Sequence, residues 1–132
     1  MNFIDIVEQL PAHVVHKSSD FPGRPLRHVV ASDLMSDVLV ADFEDVVIVT
    51  SLASEQTVRT ADIVGARGVI LVNDKTPQAA MKALAVQQDL TVLSTPLTMF
   101  EACVALGRLL SFPATSPDWD LPQRGAPGGA NP

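Results

Sequence analysis

The chain has 132 residues, with fifteen acids against nine bases for a net charge of −6, and 47% hydrophobic against 18% charged residues. Such a composition excludes wholesale disorder, and without a cluster of Lys and Arg to displace counterions it excludes a duplex nucleic-acid surface. No apolar run approaches membrane-spanning length.

The opening Met1-Asn2-Phe3-Ile4-Asp5 lacks the basic start of a secretory signal. A single cysteine, Cys103, allows no internal disulfide and fits a reducing compartment, so a cytoplasmic protein is expected.

The first predicted element is a short amphipathic helix from Phe3 to Leu10, with Phe3, Ile6, Val7 and Leu10 on one face and Pro11 as its stop. His13-Val14-Val15-His16 reads as a strand, and Lys17 to Pro25, with Pro22, Gly23 and Pro25, as a loop. Arg27 to Ala31 is a second strand. Ser32 is then placed to cap a helix carrying Leu34, Met35, Val38 and Leu39. Val46-Val47-Ile48-Val49 is an unbroken β-branched run, the pattern of a strand covered on both faces.

Ser54 caps a helix running to Val64, with Gly65 as its stop. Val69-Ile70-Leu71-Val72 is the next buried strand. Thr76-Pro77 supplies a cap followed by proline at the first helical position of a helix through about Gln88. Leu90 to Leu93 is the last strand. Thr95-Pro96 repeats the cap-and-proline signal, and Thr98 with Glu101 offers a capping box one turn later, for a final helix that carries Phe100, Val104 and Leu106 to Leu110, with small Gly107 permitting close packing.

Half of the ten prolines and three of the seven glycines fall between Pro113 and Pro132, which predicts a disordered tail over 113–132. Within it Trp119, between Asp118 and Asp120, is free to dock on the domain or on a partner. Strand–helix alternation over 1–112 predicts one α/β domain, a three-layer α/β/α arrangement around a mostly parallel or mixed sheet.

Ala31-Ser32-Asp33-Leu34-Met35-Ser36-Asp37-Val38-Leu39 resembles the signature block of DRTGG domains. Val69-Ile70-Leu71-Val72-Asn73 and Leu93-Ser94-Thr95-Pro96-Leu97-Thr98-Met99-Phe100-Glu101 resemble later blocks of the same family, in the same order. Before Ala31 the chain reads Gly23-Arg24-Pro25-Leu26-Arg27-His28-Val29-Val30, without the family's paired glycines. The resemblance implies a fold similar to the N-terminal domains of HPr kinase/phosphorylase and of the MurF ligase. It also implies a regulatory or accessory role, dimer contacts, and, for stand-alone members, a link to hydrogenase or redox metabolism. No catalytic residues come with it.

For chemistry, the chain has neither a Gly-x-x-x-x-Gly-Lys-Ser/Thr run nor a Gly-x-Gly-x-x-Gly after a strand. His13 and His16, three apart in a strand, would point to opposite faces. Asp33 and Asp37, four apart, would share a helical face and are the weak candidates for a Mg²⁺ site; a capped start plus a solvated acid explains them as well. Cys103 among Ala102, Val104 and Ala105 reads as inert packing. Asp42, Glu44 and Asp45 form an acidic stretch that would suit a basic partner.

The ligand-binding candidates are Thr50-Ser51, Asn73-Asp74 and Ser94-Thr95, each pair following one of three consecutive strands. A parallel sheet would gather them at its carboxyl edge, where open α/β sheets bind ligands and helix N-termini meet anions. These residue types are also ordinary caps and turns, so both readings stand.

The expected function is a non-catalytic regulatory module that needs no cofactor and acts through a homodimer and a protein partner. A sensor of a small anionic ligand, a nucleotide or phosphometabolite, is the alternative, and a metal-dependent enzyme the third. The candidate dimer faces are the Phe3–Leu10 helix and the helix with Leu34, Met35, Val38 and Leu39.

Overall fold

The computed structural model describes residues 1–111, so the expected tail, with Trp119, lies outside the described residues. Ten elements follow one another: α1 (Phe3–Gln9), β1 (His13–His16), β2 (His28–Ala31), α2 (Met35–Leu39), β3 (Val46–Thr50), α3 (Glu55–Val64), β4 (Gly68–Leu71), α4 (Ala79–Gln87), β5 (Thr91–Ser94) and α5 (Met99–Leu109). The five strands form one sheet in the order β1-β5-β4-β3-β2. β2, β3, β4 and β5 are parallel, and β1 closes the far side antiparallel to β5. The fold is therefore α/β with a mixed sheet that is parallel except at one edge. No helix among the described residues is long and apolar enough to cross a membrane.

Each central strand divides its side chains between two cores. Val47, Val49, Ile70, Val72 and Leu93 face Phe3 and Ile6 of α1 and Ala102 and Leu106 of α5. Ile48, Val69, Leu71 and Val92 face Met35 and Val38 of α2, Val58 and Ala61 of α3, and Met81 and Ala85 of α4. This is why the strands read as unbroken apolar runs: both faces are covered, and each fully buried Val or Ile contributes on the order of 1.5–3 kcal/mol.

Local signals hold at several ends. Gly65 ends α3 in the left-handed conformation at φ 70°, and Thr98 and Glu101 form the reciprocal capping box of α5. Gly68 is needed for another reason: a Cβ there would lie 2.8 Å from the Thr91 carbonyl oxygen and run into the Phe3 ring.

Three predicted caps are displaced. Thr95-Pro96 does not open α5, which starts at Met99 behind Thr98, because the Thr95 hydroxyl is taken by Pro11 O and the Leu97 N–H. Ser32 does not cap α2; its Oγ takes the Leu34 N–H at 3.0 Å in a turn ahead of the helix, and Leu34 holds the cap position. Pro77 is not the first residue of α4, which starts at Ala79 behind Gln78. There the Gln78 N–H is tied to the Ala53 carbonyl at 3.0 Å, so the chain completes a tertiary contact before it turns helical.

Most of the two faces expected to form a dimer are spent within the chain itself. Phe3, Ile6 and Leu10 are buried against the sheet, as are Met35 and Val38; of those two helical faces only Leu34 and Leu39 are well exposed. An amphipathic stripe of that length is consumed by the protein's own core.

Candidate functional site

The direction in which the chain leaves each strand determines where a cleft opens. The crossovers through α2, α3 and α4 all pass over one face of the sheet, whereas the chain leaving β5 enters α5 on the other face. Adjacent strands β4 and β5 thus send their chains to opposite sides, and a crevice forms between them at their carboxyl ends. A cleft of about 640 Å³ occupies that place. Asp74, Lys75, Thr76, Pro77 and Lys82 line one wall, Ser94 and Pro96 the second, and Pro11, Ala12, His13 and Val15, around the start of β1, the third.

The wall after β4 has an unusual backbone. Asn73 and Asp74 both adopt positive φ, 60° and 56°, a conformation that Asn and Asp tolerate better than other side-chain-bearing residues. The bend is held by the neighbouring loop: the Asn73 N–H donates to Leu97 O at 2.7 Å and the Asp74 N–H to Thr95 O at 2.9 Å. Ser94 Oγ donates to Lys75 O at 3.0 Å. The loops after β4 and β5 are therefore stitched together beneath the cleft.

Of the six predicted ligand residues, the cleft is lined by Asp74 and Ser94. Thr95 is fully buried and structural, its Oγ1 donating to Pro11 O at 2.7 Å and accepting the Leu97 N–H at 3.2 Å. Thr50 and Ser51 lie at the end of β3, outside that lining, where the β3 and β4 crossovers leave on the same side. There Thr50 Oγ1 and the Ser51 N–H donate to one Asp33 oxygen, at 3.0 and 2.6 Å.

Asp33 consequently does not share a helical face with Asp37: it precedes α2, while Asp37 sits in the first turn. The Ser51 N–H, helped by the Ser51 and Thr50 hydroxyls and the charge of Lys75, holds the Asp33 carboxyl below its usual value against the opposing effect of burial. Among the described residues no group of three His, Cys, Asp or Glu side chains is placed to hold a metal ion.

The remaining candidates separate. His16 Nδ1 lies 2.8 Å from Leu90 O, whereas His13 is on the cleft wall. Burial on α5 pushes the Cys103 thiol up, away from reactivity.

Sequence reasoning missed the cations of the cleft, Lys75 and Lys82. Two of the chain's three lysines bracket Thr76-Pro77, and that spacing around a strand-to-helix loop was the available signal. Neither forms an ion pair among the described residues, while Arg24, Arg27, Arg59 and Arg67 all do. In a chain of net charge −6, the two unpaired lysines outnumber the one carboxylate of the lining, Asp74, which gives this opening a local excess of positive charge.

No family model matches the chain, and no curated protein is similar to it. Among solved structures it is similar to the CBS and DRTGG domains of the regulatory region of Clostridium perfringens pyrophosphatase, complexed with the activator diadenosine tetraphosphate. The TM-score is 0.58 and the identity 20%, over 80% of this chain and 45% of that one. The chain thus spans less than half the length of the structure it matches, and the likeness at this identity is one of fold: a five-stranded α/β domain like the DRTGG domain.

Proposed function

We propose that this protein is a non-catalytic regulatory domain that binds a small anionic ligand, a nucleotide or phosphometabolite, in the cleft between β4 and β5. The observation that carries the reading is the pair of unpaired lysines, Lys75 and Lys82, at the point where adjacent strands send their chains to opposite faces. A cleft of about 640 Å³ is of the size that takes such ligands. His13, Thr76 and Ser94 add hydrogen-bonding groups for orientation. The similar fold occurs in a regulatory region complexed with a polyphosphate activator, which supports the same class of ligand here.

Binding without turnover is supported by the cleft's chemistry. Its serine hydroxyl donates to a backbone carbonyl, and among the described residues neither His13 nor Asp74, which share the lining, hydrogen-bonds to it. A second reading, regulation through a protein contact, is favoured by the exposed side chains of Leu34, Leu39, Val40 and Phe43.

Thermal shift and calorimetry of the full chain against nucleotides, dinucleoside polyphosphates and phosphorylated metabolites test the proposal. A ligand at a hundred times its Kd stabilises by about 2.7 kcal/mol, so a true ligand raises the Tm measurably. Lys75→Ala and Lys82→Ala should each weaken that binding while leaving the unliganded Tm unchanged. A panel without any shift, or shifts that survive the double lysine variant, would overturn the reading.

A further inference from the structure

Four large apolar side chains are exposed within ten residues of chain: Leu34, Leu39, Val40 and Phe43, at 58, 45, 80 and 51%. They run from the cap of α2, Leu34, through its last residue, Leu39, into the segment that leads to β3. Phe43 is fixed to the outer strand of the sheet, because its ring stacks on that of His28, at the start of β2, with centroids 4.7 Å apart.

That strand has a free side. β2 pairs with β3 and with no other strand among the described residues. The His28 and Ser32 N–H groups point inward, donating to Asp45 O and Val49 O. By the alternation of a strand, the N–H and C=O groups of Val29 and Ala31 therefore point outward. β2 contains no Lys or Pro to blunt this edge.

The charges on either side of Phe43 decide what fits the edge. Asp42 and Glu44 are exposed and make no ion pair among the described residues. Arg27, the nearby cation, is paired with Asp45 at 3.3 Å. A second copy of the chain would bring the same carboxylates to the contact and supply no compensating charge.

We propose that the outer edge of β2, with Phe43 stacked at its start, docks an extended segment of a partner protein as an added strand, apolar residues alternating with Lys or Arg. Main-chain hydrogen bonds to Val29 and Ala31 would supply register, and the basic side chains would answer Asp42 and Glu44. This surface is separate from the ligand cleft, and its test does not depend on a ligand.

The experiment pans a display library of random twelve-residue peptides on the full chain, followed by affinity measurement with the synthetic winners. Winners should alternate apolar with basic residues and should slow amide exchange at Val29 and Ala31. Ala31→Pro removes an outward N–H while sparing the ladder to β3, and should weaken binding at least tenfold with the Tm retained. If that variant does not fold, Asp42→Lys with Glu44→Lys carries the test, with the same tenfold loss expected. No winners, winners without basic residues, or affinities unchanged in a folded variant would overturn the proposal. So would a dimer in light scattering that Ala31→Pro dissociates, which would give the edge to a second copy.

Discussion

Thr95 and Pro11, 84 positions apart in the chain, are joined by a hydrogen bond of 2.7 Å from the Thr95 hydroxyl to the Pro11 carbonyl. The bond links the turn entering β1 to the end of β5 and so sets the third wall of the cleft. The same hydroxyl accepts the Leu97 N–H, and Thr95 is fully buried. Thr95→Val keeps the shape and leaves both backbone groups short of a partner. It should lower stability by about 1–3 kcal/mol in a urea titration. Loss of much less would show that the two walls are held by other contacts.

Gly68 is the position where the sheet tolerates no Cβ, with the Thr91 carbonyl 2.8 Å from where one would stand and the Phe3 ring in the way. Gly68→Ala must push α1 or β5 outward and should cost about 1–3 kcal/mol, as overpacking does. Pairing it with Phe3→Leu should recover part of that loss. An unchanged midpoint for Gly68→Ala would mean that α1 is not seated as described.

Asp33 gives the protein a defined acid dependence. Its folded-state carboxyl is held low, chiefly by the Ser51 N–H, so in the acid range the folded protein binds fewer protons there than the unfolded chain. The stabilisation is present above the ordinary aspartate value of about 3.9 and is lost as the pH falls through the lower folded-state value. Asp33→Asn should therefore flatten the acid limb of a stability–pH curve and leave its neutral plateau lower. A variant curve parallel to the parent's would exclude Asp33 as a contributor.

Two of the helix caps named by the sequence, Thr98 and Ser54, should respond differently to alanine. Thr98 accepts the Glu101 N–H at 3.2 Å, and Thr98→Ala should cost about 1 kcal/mol. Ser54 occupies the cap position of α3 without a side-chain cap bond, so Ser54→Ala should cost clearly less. Equal losses in parallel denaturant titrations would contradict this difference.

What the sequence determined by itself is what depends on near neighbours along the chain. Val46 to Val49 must be a covered strand because four β-branched or apolar residues in succession leave neither face for water. Thr98 and Glu101 make their capping box across three residues, and Gly65 reaches its left-handed stop without help from elsewhere. From such signals the α/β class and the order of the elements followed.

The site was decided by contacts that no local pattern contains. Thr50-Ser51, Asn73-Asp74 and Ser94-Thr95 look alike in sequence, yet only the loops after β4 and β5 part to opposite faces and open a cleft between them. By spacing alone Asp33 is a helical neighbour of Asp37, but its carboxylate is held by Thr50 and Ser51, seventeen and eighteen positions away. The face of the Phe3 helix looked free for a partner until α1 was laid on the sheet. Periodicity says that a face must be covered; which surface covers it, and which edge stays open, is settled only when all the elements compete for the same core.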